Sequence, residues 1–231
     1  MKTQHPNILN MIAVNNALKP LGRDVVFVGG ATTLLYADDP SLGEARPTDD
    51  VDCVIEVASK IEYHRVEERL REIGFKNSQM PGNPICRWKL GKLIVDIMPT
   101  TGDTFGFANR WYEPGFANRI KVKIYGTEET VYIFPAVYFL ASKVEALVSR
   151  GLKDLLMSQD FQDIAFLIVR RESLLAEVQK SDSNLKDYFR EKIPLLINNE
   201  QFEQALAGEF PRANEKVLRE KVTEVLRKIA S

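Results

Sequence analysis

The sequence predicts an α+β fold over roughly its first 134 residues and a region of helices alone after that point. Two observations lead to this division. Short apolar runs at residues 25–28, 51–57 and 93–98 have the length and composition of buried strands. From Pro135 onward, apolar residues recur only at helical spacing. We therefore expect one domain over residues 1–134 and a C-terminal helical region over residues 135–231 packed on it.

Local signals place each element in turn. Pro20 and Gly22 end a first helix, and Gly74 caps the C-terminus of a charged amphipathic helix. Gly91 lies in a hairpin turn between two strands, and Pro135 suits the first position of a helix. The predicted elements are helix 7–20, strand 25–28, helix 31–37, strand 51–57, helix 60–73, strands 86–90, 93–98, 120–125 and 130–134, and helices 135–149, 159–170, 172–180, 184–193, 199–207 and 212–230.

The composition is typical of a globular protein. The chain has 231 residues, of which 45% are hydrophobic and 27% are charged. No apolar run approaches the roughly 18 residues that span a bilayer, and the N-terminus lacks the apolar core of a signal peptide. Cys53 and Cys86 lack metal-ligand spacing, and the strand pattern around Cys53 predicts a buried free thiol. The formal net charge of −1 gives no global sign of nucleic-acid binding. We therefore expect a cytoplasmic protein without a membrane partner.

A pair of glycines follows the first predicted strand. Without a Cβ at Gly29 and Gly30 the backbone can approach a ligand closely, and the N–H groups of the next helix would face an anion. Thr32 and Thr33 add hydroxyl groups there. The pattern fits a phosphate-binding turn, and it equally fits an ordinary tight turn between a strand and a helix.

Three aspartates lie on the next two buried strands. Asp50 and Asp52 are two residues apart, so their side chains share one face of a strand, while Asp49 points to the other face. Two carboxylates on one face repel each other without a cation, and magnesium accepts such oxygen ligands; the alternative is a solvated strand face. Asp96 interrupts a wholly apolar strand, where an unpaired charge is costly. If these strands are neighbours, the carboxylates surround one metal cluster, as two-metal phosphoryl or nucleotidyl transfer requires.

The order of Gly-Gly, then Arg-x-Thr-x-Asp-x-Asp from Arg46 to Asp52, then a strand aspartate resembles the nucleotidyltransferase (polymerase-beta-like) superfold. The segments 139–143, 146–147, 150–151, 154 and 158–164 resemble the helical signature of the AbiEii-type abortive-infection nucleotidyltransferases, which are often toxins of toxin–antitoxin pairs. The resemblance covers about residues 25–170 and implies a mixed sheet flanked by helices. One departure is visible, since many relatives have Gly-Ser where this chain has Gly29-Gly30.

The resemblance implies a role for each candidate residue. Asp50, Asp52 and Asp96 would bind magnesium, or manganese in its place, with Asp96 also able to accept the proton of the attacking hydroxyl. Gly29 and Gly30 would cradle the triphosphate. The remaining nucleotide-binding candidates are Thr32, which would replace the missing serine hydroxyl, and Arg46, which would hold a phosphate or pair with Asp50. Lys143 would contact the phosphates, and the alternative is a solvated lysine on a helix. Asp160 and Asp163 would lie near the nucleotide or orient Lys143 and Arg150, and they equally fit surface charges or salt bridges of a helix.

The sequence thus predicts a magnesium-dependent nucleotidyltransferase. It would move an NMP from an NTP to a hydroxyl acceptor, either the 3′ end of an RNA such as tRNA or a protein side chain. The abortive-infection resemblance also implies a toxin that has an antitoxin protein as its partner. The alternative is a non-catalytic member of the same fold that binds a nucleotide or a protein.

Overall fold

The chain divides into two compact units that interleave along the sequence. The structure, a computed structural model, describes residues 5–39, 45–78, 84–100, 109–210 and 213–231. The first unit comprises Met1–Leu35 and Arg46–Pro135, and the second comprises Tyr36–Ala45 and Ala136–Ser231. The membership of Tyr36–Ala45 in the second unit is a feature that the apolar pattern does not reveal.

The first unit contains every strand of the described residues. Its elements are α1 (Pro6–Leu18), β1 (Val25–Val28), β2 (Asp50–Ile55), α2 (Lys60–Glu72), β3 (Lys76–Asn77), β4 (Arg87–Leu90), β5 (Leu93–Pro99), α3 (Tyr112–Ala117), β6 (Ile120–Lys123) and β7 (Thr130–Ile133). Short 3₁₀ helices cover Lys19–Leu21 and Gly30–Tyr36.

The strands form one seven-stranded sheet in the order β3-β4-β5-β2-β1-β7-β6. The β2–β5 and β1–β7 pairs are parallel, and the other neighbours are antiparallel. The sheet is therefore mixed, which confirms the predicted α+β fold with a mixed sheet, flanking helices and a C-terminal helical region. Strand β2 lies near its centre, where Val51, Cys53, Val54 and Ile55 are buried.

Helix α2 shows how local chemistry fixes the scaffold of the sheet. The Ser59 hydroxyl accepts a hydrogen bond from the Glu62 N–H and caps the N-terminus of the helix. Tyr63, Val66 and Leu70 recur at helical spacing and are buried. The Tyr63 hydroxyl donates to the Ile97 carbonyl at 2.9 Å, which ties α2 to strand β5.

The second unit is built from helices in its described part. These are α4 (Ala136–Ser149), α5 (Gln159–Arg170), α6 (Leu174–Lys180), α7 (Ser183–Ile197), α8 (Phe202–Glu209) and α9 (Glu215–Ile229). Ser158 and Asp182 cap the N-termini of α5 and α7 by accepting hydrogen bonds from backbone N–H groups. None of the helices in the described ranges is long and apolar enough to cross a membrane.

Three local expectations differ from the structure. The helix expected at residues 31–37 is a 3₁₀ helix, because the hydroxyls of Thr32 and Thr33 donate to carbonyls three residues back and the backbone N–H of Thr32 does the same. Residues 99–119 are predicted to be irregular, but the described part of this stretch contains α3. Strand β3 has only two residues, too few to produce an apolar pattern.

Candidate metal centre

Three carboxylates meet on one face of the sheet at the junction of β2 and β5. The two strands are parallel neighbours, and the register places Asp52 directly beside Asp96. Asp50 lies two residues before Asp52 and shares its face. One ligand oxygen from each of Asp50, Asp52 and Asp96 lies within 4.8 Å of the other two. The donors are oxygens close enough to share a cation, so the residues fit a hard divalent metal ion such as magnesium or manganese.

The electrostatics of the site disfavour its negative charge. Burial raises the pKa of Asp50, the nearby Asp96 carboxylate raises it further, and the guanidinium groups of Arg87 and Arg46 offset only part of this effect. Asp96 itself is only 7% exposed. An added cation would relieve the repulsion, as it does wherever carboxylates converge in a site of low polarity.

Arg87 is a fourth member of the cluster, and it is not among the predicted metal-binding or nucleotide-binding residues. Its Nε lies 2.9 Å from Oδ1 of Asp96 and one terminal nitrogen lies 2.7 Å from Oδ2, a bidentate ion pair. The same terminal nitrogen is 3.5 Å from Oδ2 of Asp50. The hydrogen bonds to Asp96 raise the pKa of Arg87, so the guanidinium is charged at any physiological pH.

A signal for this contact was present in the sequence. The predicted turn at Gly91 joins Leu90 to Leu93, and counting back along both strands of such a hairpin places Arg87 opposite Asp96. The structure has this register. Side chains directly opposite in an antiparallel pair lie on the same face, so the hairpin brings the guanidinium to the carboxylate.

Gly29 is required by the carboxylate of Asp52. Its φ of 70° lies in the left-handed region that favours glycine. A Cβ at this position would collide with Oδ2 of Asp52 and lie 2.9 Å from its Cγ. The turn therefore forms a cradle that a larger residue would fill, and Asp52 lies in it opposite Val28 of β1.

Gly30 has a similar relation to the segment that leads into β2. A Cβ there would collide with the guanidinium of Arg46 and lie 2.8 Å from the Cγ2 methyl of Thr48. The side chains of Asp52 and Arg46 thus lie against the two glycines. Because Gly29 and Gly30 have no Cβ atoms, the side chains of Asp52 and Arg46 have room to pack there. The role of the turn in holding a triphosphate stays a prediction.

Thr32 lies in the 3₁₀ helix that follows the first glycine of the turn. Its side chain is 0% exposed, and its hydroxyl donates to the Gly29 carbonyl at 2.9 Å. The physical reason is the 3₁₀ geometry, which turns the hydroxyl back onto the carbonyl three residues earlier. Thr32 thus holds the turn in shape, and a contact between its hydroxyl and the phosphates stays a prediction.

Asn7, at the start of α1, positions the segment before β2. Its side-chain amide donates to the Arg46 carbonyl at 3.0 Å and its oxygen accepts from the Thr48 N–H at 3.0 Å. The Thr48 hydroxyl then donates to the Asp50 carbonyl at 3.0 Å. Asn7 is completely buried. This chain of hydrogen bonds fixes how Asp50 enters the sheet, and no sequence pattern pointed to it, because Asn7 and Thr48 are 41 residues apart.

The second unit holds the remaining predicted residues in a buried ion cluster. The Lys143 ammonium, on α4, lies 3.0 Å from Asp160 and 2.6 Å from Asp163, both on α5. Asp160 also accepts a hydrogen bond from Arg150. Burial lowers the pKa of Lys143, but Asp163 and Asp160 outweigh it and the net shift is upward. Asp160 therefore forms ion pairs with both Lys143 and Arg150. Nucleotide contacts by Lys143 and Asp160 stay predictions.

The two cysteines are buried and free. This confirms the expectation for Cys53. Burial raises the pKa of the Cys86 thiol to about 12, and the nearby carboxylates of Asp96 and Asp52 add to the shift. Burial also raises the pKa of the Cys53 thiol, so both thiols are protonated at neutral pH when no metal is bound.

The chain is similar over 95% of its length to the crystal structure of an antigenic nucleotidyltransferase-like protein from Paracoccidioides brasiliensis, of which it covers 92%. The TM-score is 0.49 and the sequence identity is 20%. No family model matches the sequence. No curated protein sequence matches it either.

Proposed function

We propose that this protein is a divalent-metal-dependent nucleotidyltransferase. In the proposed reaction, a hydroxyl of the acceptor attacks the α-phosphorus of an NTP, the bond to the β-phosphate breaks, and pyrophosphate leaves. One observation carries the proposal: Asp50, Asp52 and Asp96 bring ligand oxygens within 4.8 Å of one another from two adjacent parallel strands. The motif order that resembles the nucleotidyltransferase superfold supports the same reaction.

Asp50 and Asp52 would hold the metal ions, and Asp96 would complete the ligand set. The bound ions would neutralise the phosphates and stabilise the charge that develops on the attacking and leaving oxygens. Asp96 has about four lone-pair positions, of which Arg87 uses two, so the carboxylate keeps capacity for a metal or for the proton of the attacking hydroxyl. Arg46, against Gly30, provides a cation for a phosphate at the glycine turn.

The test is transfer of label from each α-labelled NTP to total cell RNA or protein, in magnesium and in manganese, followed by gel separation. Asp52→Asn and Asp96→Asn should lower transfer by about 10²-fold or more, the scale of a lost electrostatic stabiliser. Asp49→Asn is the matched control, because Asp49 is an exposed neighbour in the same motif, and it should keep the parent rate. Equal transfer by all three variants would overturn the proposal. The labelled product also identifies the acceptor as RNA, tRNA included, or as protein.

Stability in EDTA separates a metal-binding role from a structural one. Burial and Asp96 both disfavour a charge on Asp50, so Asp50→Asn should melt no lower than the parent when metal is absent. A clear loss of stability in EDTA would instead mean that the carboxylate has a structural role at this position.

The abortive-infection resemblance extends the proposal to a toxin that pairs with an antitoxin protein. Growth arrest on expression of the parent, but not of Asp52→Asn, would support this role.

A non-catalytic nucleotide-binding protein is the second candidate, and one observation favours it. Arg87 already compensates Asp96 by a bidentate ion pair. Calorimetry with ATP, CTP, GTP and UTP discriminates between the candidates. Binding that needs no metal, together with no transfer, would select the second.

A further inference from the structure

We propose that Arg87 is a built-in counter-cation that competes with divalent metal for the carboxylate cluster and so sets a low metal affinity in the absence of nucleotide. The inference rests on the proposed function, since it concerns the same metal site. Arg87 is a positioning and tuning residue in this proposal, acting on the reaction only through Asp96 and Asp50.

The geometry of Arg87 is that of a cation held at one flank of the cluster. Strands β4, β5 and β2 are consecutive in the sheet, and their registers place Arg87, Asp96 and Asp52 in one row on one face. The guanidinium binds both oxygens of Asp96 and reaches within 3.5 Å of Asp50. It therefore offsets one unit of the cluster's negative charge and occupies both oxygens of Asp96, one of the three carboxylates that a metal ion would use.

Exposure makes the competition reversible. The side chain of Arg87 is 26% exposed, whereas that of Asp96 is 10% exposed. The guanidinium is therefore the member of the pair that solvent or an incoming anion can reach, whereas the carboxylate is more enclosed. Arginine matches phosphate oxygens by the same two-donor geometry that it uses for carboxylates. A triphosphate would therefore bring both a new partner for Arg87 and the charge that favours the metal.

The size of the effect follows from Coulomb's law. A unit positive charge about 4 Å from a divalent ion weakens the binding of that ion by about tenfold or more even at the dielectric constant of water, and by more at a partly buried site. Removing the guanidinium should thus tighten metal binding by about tenfold or more. The difference in metal affinity between variant and parent should become smaller in high salt, because salt partly screens the repulsion between the guanidinium and the metal ion.

The experiment measures Mn²⁺ affinity without nucleotide, by electron paramagnetic resonance of free Mn²⁺. Arg87→Met should bind Mn²⁺ about tenfold tighter than the parent or better. Arg87→Lys, which keeps the charge, should stay within about threefold of the parent. Arg69→Met is the control for net charge, because Arg69 is an exposed residue of α2 paired with Glu72, and it should bind like the parent. Arg87→Gln carries the same expectation as Arg87→Met and decides the question if that variant does not fold.

The outcomes separate this inference from the proposed function. Equal or weaker Mn²⁺ binding by the neutral variants would overturn the competition, provided that the parent binds Mn²⁺ and Asp52→Asn abolishes it. No Mn²⁺ binding by the parent at millimolar concentration would overturn the metal site itself, and the inference with it. Tighter binding by both neutral variants, with Arg87→Lys near the parent, supports the inference.

Discussion

Replacing Gly29 with alanine should destabilise the first unit and weaken metal binding together. Two costs add at this position. An L-residue at a φ of 70° costs about 1–2 kcal/mol, and overpacking against the Asp52 carboxylate adds about 1–3 kcal/mol. The expected total is about 2–5 kcal/mol, which corresponds to about 2–4 °C in Tm for each kcal/mol in a protein of this size.

Gly22 provides the matched control for backbone strain. Its φ of 69° is nearly that of Gly29, but a Cβ there would meet nothing within 4 Å. Gly22→Ala should therefore cost only the strain, about 1–2 kcal/mol, and leave Mn²⁺ affinity unchanged. The difference between the two variants isolates the collision with Asp52.

The assay is urea unfolding in EDTA together with Mn²⁺ titration. In an Asp52→Ala background the extra cost of Gly29→Ala over Gly22→Ala should shrink, because most of the colliding group is gone. If Gly29→Ala costs no more than Gly22→Ala in the parent and binds Mn²⁺ normally, the carboxylate of Asp52 does not lie in the turn and our account of the glycine is wrong.

Two further predictions concern stability alone. Lys143→Met should cost about 3–5 kcal/mol, since it removes the buried ammonium that pairs with both Asp160 and Asp163. The ion pairs raise the pKa of Lys143 above its ordinary 10.5, so the stabilisation by Lys143 is complete below that pH and is lost as the pH rises beyond it. In urea unfolding, the difference in unfolding free energy between parent and Lys143→Met should be constant between about pH 7 and 10. A difference that already declines by about pH 9 would contradict the assignment. Tyr63→Phe should cost about 1–2 kcal/mol in the same assay, because it removes the donor to the buried Ile97 carbonyl, and an unchanged midpoint would mean that this bond contributes nothing.

Most of the fold could be predicted because buried strands and amphipathic helices carry their own apolar periods. The runs at Val25–Val28 and Leu93–Pro99 are strands in the structure, and the helix expected at 159–170 is Gln159–Arg170. Apolar periodicity does not predict the type of helix where side-chain hydroxyls compete with backbone N–H groups for carbonyl acceptors. The threonines after Gly30 produced a 3₁₀ helix for that reason.

The candidate site was predictable to the extent that it depends on strand alternation. Asp50 and Asp52 lie on one face because side chains alternate along a strand. The contact of Arg87 with Asp96 follows from counting residues back from the hairpin turn along both strands. The support from Asn7 could not be found in this way, since a hydrogen bond between distant segments leaves no local pattern. Gly29 was expected to make room for a ligand, and the atom that it makes room for belongs to the chain itself.

The interleaving of the two units has a consequence for how the chain folds during synthesis. The ring of Tyr36 packs against the ring of Phe139 in a tilted arrangement. The Tyr36 carbonyl accepts a hydrogen bond from Arg171, which lies 135 residues further along the chain. At about 5–20 residues per second, the ribosome delivers that partner roughly 7–27 seconds after Tyr36 has emerged. Residues 46–135 of the first unit are made in the interval. The second unit therefore cannot complete its folding until long after its segment Tyr36–Ala45 has been synthesised. A chaperone that shields this segment would act within that interval.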